Sequence, residues 1–164
     1  MPTVHYLADT DVDAALDAQL RALLSECFGN VFKDKRYCYE MPPHRWLIRA
    51  EDGTLAAHLA AHDKVFRSAD KRVPFTGVAE VCVAPEYRGR GYVRALLAAA
   101  EAHTSAPFAL LVGDAGVYGS SGYRTVDNVH FPAKHPDPHP DVMAKALRGE
   151  AWPEGGVVIE GMPF

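Results

Sequence analysis

A strand-like run, a turn rich in glycine and arginine, and an apolar helix follow one another in residues 81–97. Several backbone N–H groups at the start of a helix lack acceptors, and the helix dipole is positive there. Gly89 and Gly91 have no Cβ atoms, so a ligand can approach their backbone closely. Arg88 and Arg90 add positive charge and paired N–H donors. This Gly/Arg turn, residues 88–91, therefore predicts an anion site, whose usual occupant is a phosphate chain.

The segment from Arg88 to Val93 resembles the acyl-CoA-binding motif of the GNAT superfamily of N-acetyltransferases, Gln/Arg-x-x-Gly-x-Gly/Ala. Val93 replaces the last small residue, as it does in aminoglycoside acetyltransferases. The resemblance implies acetyl-CoA as co-substrate, with its pantetheine arm along the preceding strand and its pyrophosphate on the N–H groups of the turn. The cofactor-binding residues that it implies are Val81, Cys82, Val83, Arg88, Gly89, Arg90, Gly91, Tyr92 and Val93.

A second motif, Tyr118 followed by Gly122 and Tyr123, resembles the Tyr-x-x-x-Gly-Phe/Tyr element of the same superfamily. There the tyrosine hydroxyl lies beside the sulfur of CoA. A phenol has a reference pKa of about 10, so it can donate a proton to a departing thiolate at neutral pH. The resemblance thus implies Tyr118 as the general acid, and Tyr123 is expected to pack in the core.

The general base has several candidates in the sequence. Glu80 precedes the expected pantetheine strand and would accept the amine proton through a water, provided that a bulge turns its side chain to the proper face. Without a bulge, Glu80 would instead pair with a basic side chain in the sheet. His58, His62 and Asp114 are alternatives, and bulk water is another.

Length and composition are those of an ordinary soluble globular protein. The 164 residues, 48% of them hydrophobic and 23% charged, suit one domain spanning residues 1–164 with a full core. No apolar run is long enough to cross a membrane, and the N-terminus lacks the segments of a signal peptide. We therefore expect a cytoplasmic protein without a membrane partner.

The formal net charge of −4 argues against a nucleic-acid partner and is compatible with a cationic amine substrate. Cys27, Cys38 and Cys82 show no CxxC spacing, which favours a reducing compartment, and Cys82 is expected in the core. His135 and His139 lie in a proline-rich loop with no neighbouring ligand pattern. We therefore expect no metal, and solvated histidines at both positions.

Hydrophobic periodicity and turn residues predict the elements that position these groups. Helical segments are predicted at 14–28, capped by residues 9–11, and at 90–103, 116–121 and 142–147. Strands are predicted at 4–7, 46–50, 55–66, 77–83, 108–112, 123–131 and 156–160. Loops are predicted at 67–74 and 132–140. This order predicts a mixed α/β (α+β) fold, a central mixed sheet with helices on both faces, and it matches the GNAT order.

The C-terminal residues 151–161 resemble the tail of nodulation acyltransferases and aminoglycoside N-acetyltransferases, and residues 56–59 resemble the same branch. We expect direct transfer of an acetyl group from acetyl-CoA to a primary amine of a small molecule, with a homodimer as a possible assembly. The alternatives are an O-acetyl or longer-chain acyltransferase and a non-catalytic acyl-CoA-binding or sensor domain. Acidic side chains that would attract a cationic acceptor are Asp34, Glu40, Asp70, Glu154 and Glu160.

Overall fold

A computed structural model describes residues 1–132 and 139–164. The chain forms two compact units, residues 1–61 with 79–103 and residues 62–78 with 104–164. Two long strands, β3 (Leu55–Ser68) and β4 (Lys71–Val83), contribute to both units. The segment of His135 lies outside the described residues.

The first unit also contains strands β1 (His5–Ala8) and β2 (His44–Arg49) and helices α1 (Ala14–Phe28) and α2 (Tyr92–His103). Its strands lie in the order β1-β2-β3-β4, and β2 is antiparallel to both β1 and β3. Helix α1 packs its apolar stripe into a core that includes β2, β3 and β4, because leucines recur at helical spacing. The buried residues of this core include Leu20, Leu23, Leu24, Leu47, Leu55 and Cys82.

The start of α1 corrects one prediction. Its N-cap is Asp13, whose side chain accepts from the N–H of Leu16 at 2.8 Å, and not a residue of the segment 9–11. That segment forms a separate 3₁₀ turn in which Asp9 is buried. At the other end, the helix stops after Phe28, at the predicted bound, and Gly29 follows it with φ of +83°.

The second unit adds strand β5 (Phe108–Val112), helix α3 (Ala115–Tyr118) and strands β6 (Arg124–Thr125), β7 (Val129–His130), β8 (Val142–Ala146) and β9 (Val157–Ile159). β5 is parallel to β4 over Phe75–Gly77 and antiparallel to β8, which also pairs with β6. β9 is antiparallel to β3 and parallel to β7. Aromatic side chains fill the core, among them Phe66, Phe75, Phe108 and Trp152.

Three predicted elements of the second unit were wrong. The polar stretch 67–74 is not a loop, because β3 continues to Ser68 and β4 begins at Lys71. The stretch 142–147 is not a helix but β8, since pairing with β5 overrides the helix propensity of Met, Ala and Lys. The stretch 123–131 is two short strands with different partners rather than one. His139, predicted to be solvated, is only 8% exposed, and its Nδ1 accepts from the N–H of Asp141.

The predicted fold class is confirmed: the protein has a mixed α/β fold with a central mixed sheet and helices. The assignment of residues 1–164 to one domain stays a prediction. Within the described ranges, no helix combines the length and the apolar character that crossing a membrane requires.

Candidate functional site

The Gly/Arg turn connects β4 to α2 through a 3₁₀ turn at Pro85–Tyr87. Gly89 and Gly91 have φ of +76° and +77°, a conformation that favours glycine, and a Cβ at either position would meet no atom within 4 Å. Among the hydrogen bonds of the described residues, none uses the N–H groups of residues 89–94. The turn therefore presents a run of unpaired donors at the positive end of a helix, as an anion site requires.

The two arginines of the turn are held differently. The Nε of Arg88 donates to the carbonyl oxygen of Val83 at 3.1 Å, at the end of β4. Arg90 donates to the carbonyl oxygen of Glu86 at 3.3 Å, and its guanidinium lies 5.1 Å from the ring centre of Tyr87. Arg90 also lines a surface pocket of about 520 Å³ together with Tyr87, Tyr92 and residues 49–52. The turn thus carries two positive charges, one held against the end of β4 and one beside the pocket.

Glu80 interrupts the regular alternation of β4. Its φ is +53°, a left-handed conformation that is rare for a residue other than glycine. Its side chain is 6% exposed. Oε1 accepts from the N–H of Cys38 at 3.2 Å, and Oε2 lies 3.6 Å from Nη1 of Arg45 but has no hydrogen-bond partner. The backbone of β4 is therefore irregular at Glu80, and Oε2 has an ion pair but no hydrogen bond.

Glu80 belongs to a buried cluster around Arg45, the Arg45 cluster, which comprises Asp9, Arg36, Arg45, His58 and Glu80. Arg45 has no solvent exposure, and its Nε donates to Oδ1 of Asp9 at 2.6 Å. Arg36 donates two hydrogen bonds to the same carboxylate, at 3.0 and 2.7 Å. Its Nη1 also donates to Asp17 at 2.9 Å. The positive charges of Arg36 and Arg45 are thus already balanced by the negative charges of Asp9 and Asp17, without any charge on Glu80.

Burial, together with this balance of charges, explains the proton affinity of Glu80. Burial raises the pKa of its carboxyl to about 7, and the charge of Asp9 acts in the same direction. The guanidinium of Arg45 and the N–H of Cys38 oppose this effect without cancelling it. A carboxyl with such a pKa exchanges its proton near neutral pH, as a general base must.

The other candidate bases, His58, His62 and Asp114, differ from Glu80 in their burial and hydrogen bonds. His58 is fully buried, its Nε2 accepts from Nη1 of Arg45 at 3.0 Å, and its Nδ1 donates to the carbonyl oxygen of Glu80 at 2.9 Å. Burial, assisted by the charge of Arg45, lowers the pKa of His58 to about 3, so neither nitrogen can take up an amine proton. His62 is 5% exposed. Asp114 caps α3 by accepting from the N–H of Gly116 at 2.6 Å.

Tyr118 ends α3, and its ring covers the backbone of Gly113. A Cβ at Gly113 would lie 2.5 Å from Cε2 of Tyr118, so only glycine permits this approach. The ring of Tyr118 lies edge-on to that of Tyr123, with 6.4 Å between the ring centres. Tyr118 is half-buried, whereas Tyr123 is 2% exposed and packs in the core as expected.

Sequence reasoning missed the partners that give Glu80 its properties. Asp9 was interpreted as part of a helix cap, and Arg36 and Cys38 fell in a segment without a regular pattern. Arg45 directly precedes the apolar residues Trp46 to Ile48, and a charge beside such a run was the one available signal of a buried ion pair. Within residues 1–132 and 139–164, no three His, Cys, Asp or Glu side chains are grouped to hold a metal ion.

Family membership follows from similarity over most of the sequence. Residues 3–126 match the family described as acetyltransferase (GNAT) domain. The chain belongs to this family. Membership of the GNAT family confirms the prediction that the protein is an acyltransferase. No curated protein is significantly similar to the chain, and the aminoglycoside and nodulation branch remains a hypothesis.

Solved acyltransferase structures share this fold. The N-acetyltransferase YhbS of Escherichia coli in complex with CoA has a TM-score of 0.66 at 15% identity, over 96% of this chain and 90% of that one. A GNAT acetyltransferase of Brucella melitensis in complex with acetyl-CoA has a TM-score of 0.63 at 19% identity, over 96% of both chains. An acyl-CoA N-acyltransferase of Pseudomonas aeruginosa has a TM-score of 0.61 at 18% identity, over 89% of this chain and 100% of that one.

The pKa of Glu80 is raised and that of His58 is lowered in the folded protein, and these two shifts predict how the free energy of unfolding depends on pH. Between pH 6.5 and 5 the folded protein holds a proton on Glu80 that the unfolded chain releases, which stabilises the fold as pH falls. Neutral His58 has the reverse effect, because its pKa is low only in the folded state. In Glu80→Gln only the His58 effect remains. Its free energy of unfolding should therefore fall on acidification more steeply than that of the wild type, by up to about 1.4 kcal/mol per pH unit.

The measurement is urea unfolding at closely spaced pH values. The exposed Glu150→Gln serves as the control and should keep the wild-type slope, since it also removes one carboxylate. Parallel curves for Glu80→Gln and the wild type would contradict a raised pKa at Glu80.

Proposed function

We propose that the chain is a single-domain N-acetyltransferase that transfers an acetyl group from acetyl-CoA directly to a primary amine of a small molecule. The observation that carries the proposal is the run of unpaired N–H groups at residues 89–94, at the start of α2. Such a run suits the pyrophosphate of CoA, and Gly89 and Gly91 leave room for its close approach. Acetyl-CoA supplies the activated acetyl thioester, and the protein positions it and moves protons.

The pantetheine arm would follow β4 beyond Glu80. The backbone of Val81, Cys82 and Val83 can donate and accept hydrogen bonds to amide groups laid beside it, while the side chains of Cys82 and Val83 remain buried. The left-handed residue before this segment supports such a role, because irregular strand geometry frees backbone groups from regular pairing. Arg90, which faces the pocket beside the turn, would add charge near the phosphates.

Tyr118 would act as general acid through its hydroxyl, which donates its proton to the departing thiolate. The proposal is supported by its place at the end of α3 and by the close fit of its ring on Gly113, which restricts the ring's position. A restrained phenol loses little freedom when it aligns with the leaving group.

Glu80 would act as general base through Oε2, which has an ion pair with Arg45 but no hydrogen bond. A buried acceptor without a partner invites a water molecule, and that water would carry the amine proton to the carboxylate. The hydrogen bond from Cys38 to Oε1 fixes the orientation of the carboxyl group. The neutral His58 holds the carbonyl of the same residue and so supports its position.

The acceptor would be a cationic small amine in the cytoplasm, of the kind used by the aminoglycoside and nodulation branch. The resemblance of residues 151–161 and the net negative charge support this choice. All three cysteines are free thiols, which suits a reducing compartment. Of the acidic side chains expected to attract the acceptor, Glu160 already pairs with Arg72 at 2.7 Å and is the weakest candidate.

The direct test is a thiol-release assay with acetyl-CoA, and with longer-chain acyl-CoAs for comparison, against aminoglycosides, polyamines, amino sugars, amino-acid amines and alcohols that lack an amine. Mass spectrometry of the products distinguishes an acetamide from an acetate ester. Release of CoA with an amine and with no alcohol supports the proposal. Ester formation, or turnover only with longer acyl chains, would replace it with the O-acyl or long-chain alternative.

The phosphate site predicts a charge-dependent loss of CoA affinity. Gly91→Asp places a carboxylate where phosphates should bind, so the dissociation constant for CoA should rise tenfold or more, a loss of about 1.4 kcal/mol. Gly91→Asn has nearly the same size without the charge and should lose less. Gly149→Asp is the matched control, because Gly149 also has positive φ and open space around it. If calorimetry gives the folded Gly91→Asp variant the wild-type affinity for CoA, the proposed phosphate site is contradicted.

The acid predicts a defect confined to turnover. Tyr118→Phe removes one hydroxyl and little volume, so kcat should fall by roughly 10²-fold while the affinity for CoA is unchanged. Tyr123→Phe, at the neighbouring buried ring, should retain most of the activity. Wild-type kcat for Tyr118→Phe, measured where the chemical step is rate-limiting, would exclude Tyr118 as the acid.

If Glu80 is the general base, kcat/KM should decrease at acidic pH. The ionised Glu80 is the active form, so kcat/KM of the wild type should fall as pH decreases through about 7. Glu80→Gln should be less active and should lose this decrease, with a defect that shrinks at high pH as free amine becomes abundant. Glu150→Gln should keep the wild-type profile. A defect of equal size at every pH would assign Glu80 a structural role instead.

A further inference from the structure

Two of the three cysteines meet beside the Gly/Arg turn, where α1 packs against β4. Cys27, near the end of α1, is half-buried and packs against the core cluster that contains Cys82, which is 5% exposed. The Sγ of Cys27 lies 3.6 Å from the carbonyl oxygen of Val83, the residue after Cys82. Each thiol is also the largest influence on the pKa of the other. Two reduced thiols from distant parts of the sequence are therefore neighbours on the contact between α1 and β4.

The surroundings of Cys27 favour its thiolate. The hydrogen bond from Cys82 lowers the pKa of Cys27 most strongly, to about 7, and the guanidinium of Arg88 contributes through a hydrogen bond and its charge. Burial and the carboxylate of Glu26 act in the opposite direction. Conversely, contact with Cys27, burial and the charge of Glu80 raise the pKa of Cys82. One thiol is thus a partly accessible nucleophile and the other a protonated, buried partner.

We propose that Cys27 and Cys82 form a redox modification site, which hydrogen peroxide converts from a dithiol to an intramolecular disulfide. The Cys27 thiolate attacks one peroxide oxygen, the O–O bond breaks, and a sulfenic acid and hydroxide form. The sulfur of Cys82 then attacks the Cys27 sulfur, the S–O bond breaks, and water leaves with the proton of the Cys82 thiol. The two cysteines lose two electrons in total, and the peroxide gains them.

The division of roles between the two residues follows from their exposure and from their neighbours. Cys27 reacts first because it is accessible and lies beside Arg88, whereas Cys82 resolves the sulfenic acid from within the core. Cys38 packs against the same core cluster, and its backbone N–H donates to Glu80, so it is the competing thiol that the test must distinguish. The proposal goes beyond the acetyltransferase function, and its test uses neither CoA nor an amine.

The experiment exposes the full-length protein to a small excess of hydrogen peroxide at neutral pH and blocks the remaining thiols with N-ethylmaleimide. The intact mass before blocking should fall by about 2 Da. Trypsin releases the three cysteines on separate peptides, residues 22–33, 37–45 and 73–88. A disulfide between peptides 22–33 and 73–88, with Cys38 alkylated, supports the site. A link to Cys38, oxidation of Cys27 to the sulfinic acid without a link, or three intact thiols would overturn it.

Variants separate the two steps. Cys38→Ser should form the disulfide at the wild-type rate, whereas Cys82→Ser should stop at a Cys27 sulfenic acid that dimedone traps. Alkylation of Cys27 by iodoacetamide should be half-maximal near pH 7 and should shift to higher pH in Arg88→Gln but not in Arg90→Gln. Dimedone labelling of Cys38 in place of Cys27, or equal alkylation profiles for both arginine variants, would contradict the assigned roles. The peptide map of the wild type decides the question even if a variant does not fold.

Discussion

A guanidinium without solvent exposure, that of Arg45, constrains the structure of the first unit. Arg45 cannot lose its proton, so every N–H that it buries needs an acceptor. The acceptors come from three separate parts of the chain, the Asp9 carboxylate, the carbonyl of Arg36 and Nε2 of His58, and Glu80 adds an ion pair at 3.6 Å. Removing one partner from such an arrangement typically costs about 3–5 kcal/mol, because a charge is left buried and unpaired. The positions of these segments are therefore linked.

This linkage reaches the proposed cofactor strand through Glu80. Its left-handed backbone lets the side chain join the Arg45 cluster, while its carbonyl accepts from His58. A non-glycine residue at positive φ carries backbone strain of order 1–3 kcal/mol, which surrounding contacts must offset. The ion pair and the two hydrogen bonds at this residue supply such contacts. The next residues of β4 then extend toward the Gly/Arg turn, and Cys82 enters the core beneath α1.

The sequence was sufficient where local rules decide the structure. Helix α1 and strand β5 have the predicted bounds, because leucine spacing, a glycine end and a short apolar run are local signals. The Gly/Arg turn was also recognisable, since it combines glycines, arginines and a following helix. The Arg45 cluster was not, because Asp9, Arg36, Arg45 and Glu80 look like ordinary surface charges until folding brings them together. Strand β8 was missed for the same reason, since its pairing with β5 is a tertiary contact.

The Arg45 cluster also explains why a carboxyl can serve as base for an amine. An alkylammonium with a pKa near that of lysine, about 10.4, would transfer its proton to an ordinary glutamate against a difference of about 6 units, or about 8 kcal/mol. With the pKa of Glu80 raised to about 7, the difference falls to about 3 units, or about 4 kcal/mol. If Arg36 and Arg45 lacked their aspartate partner, their charge would stabilise the ionised Glu80 and lower that pKa again. Asp9 therefore contributes to base strength although it has no contact with substrate in the proposed mechanism: it neutralises the arginines and leaves burial to set the proton affinity of Glu80.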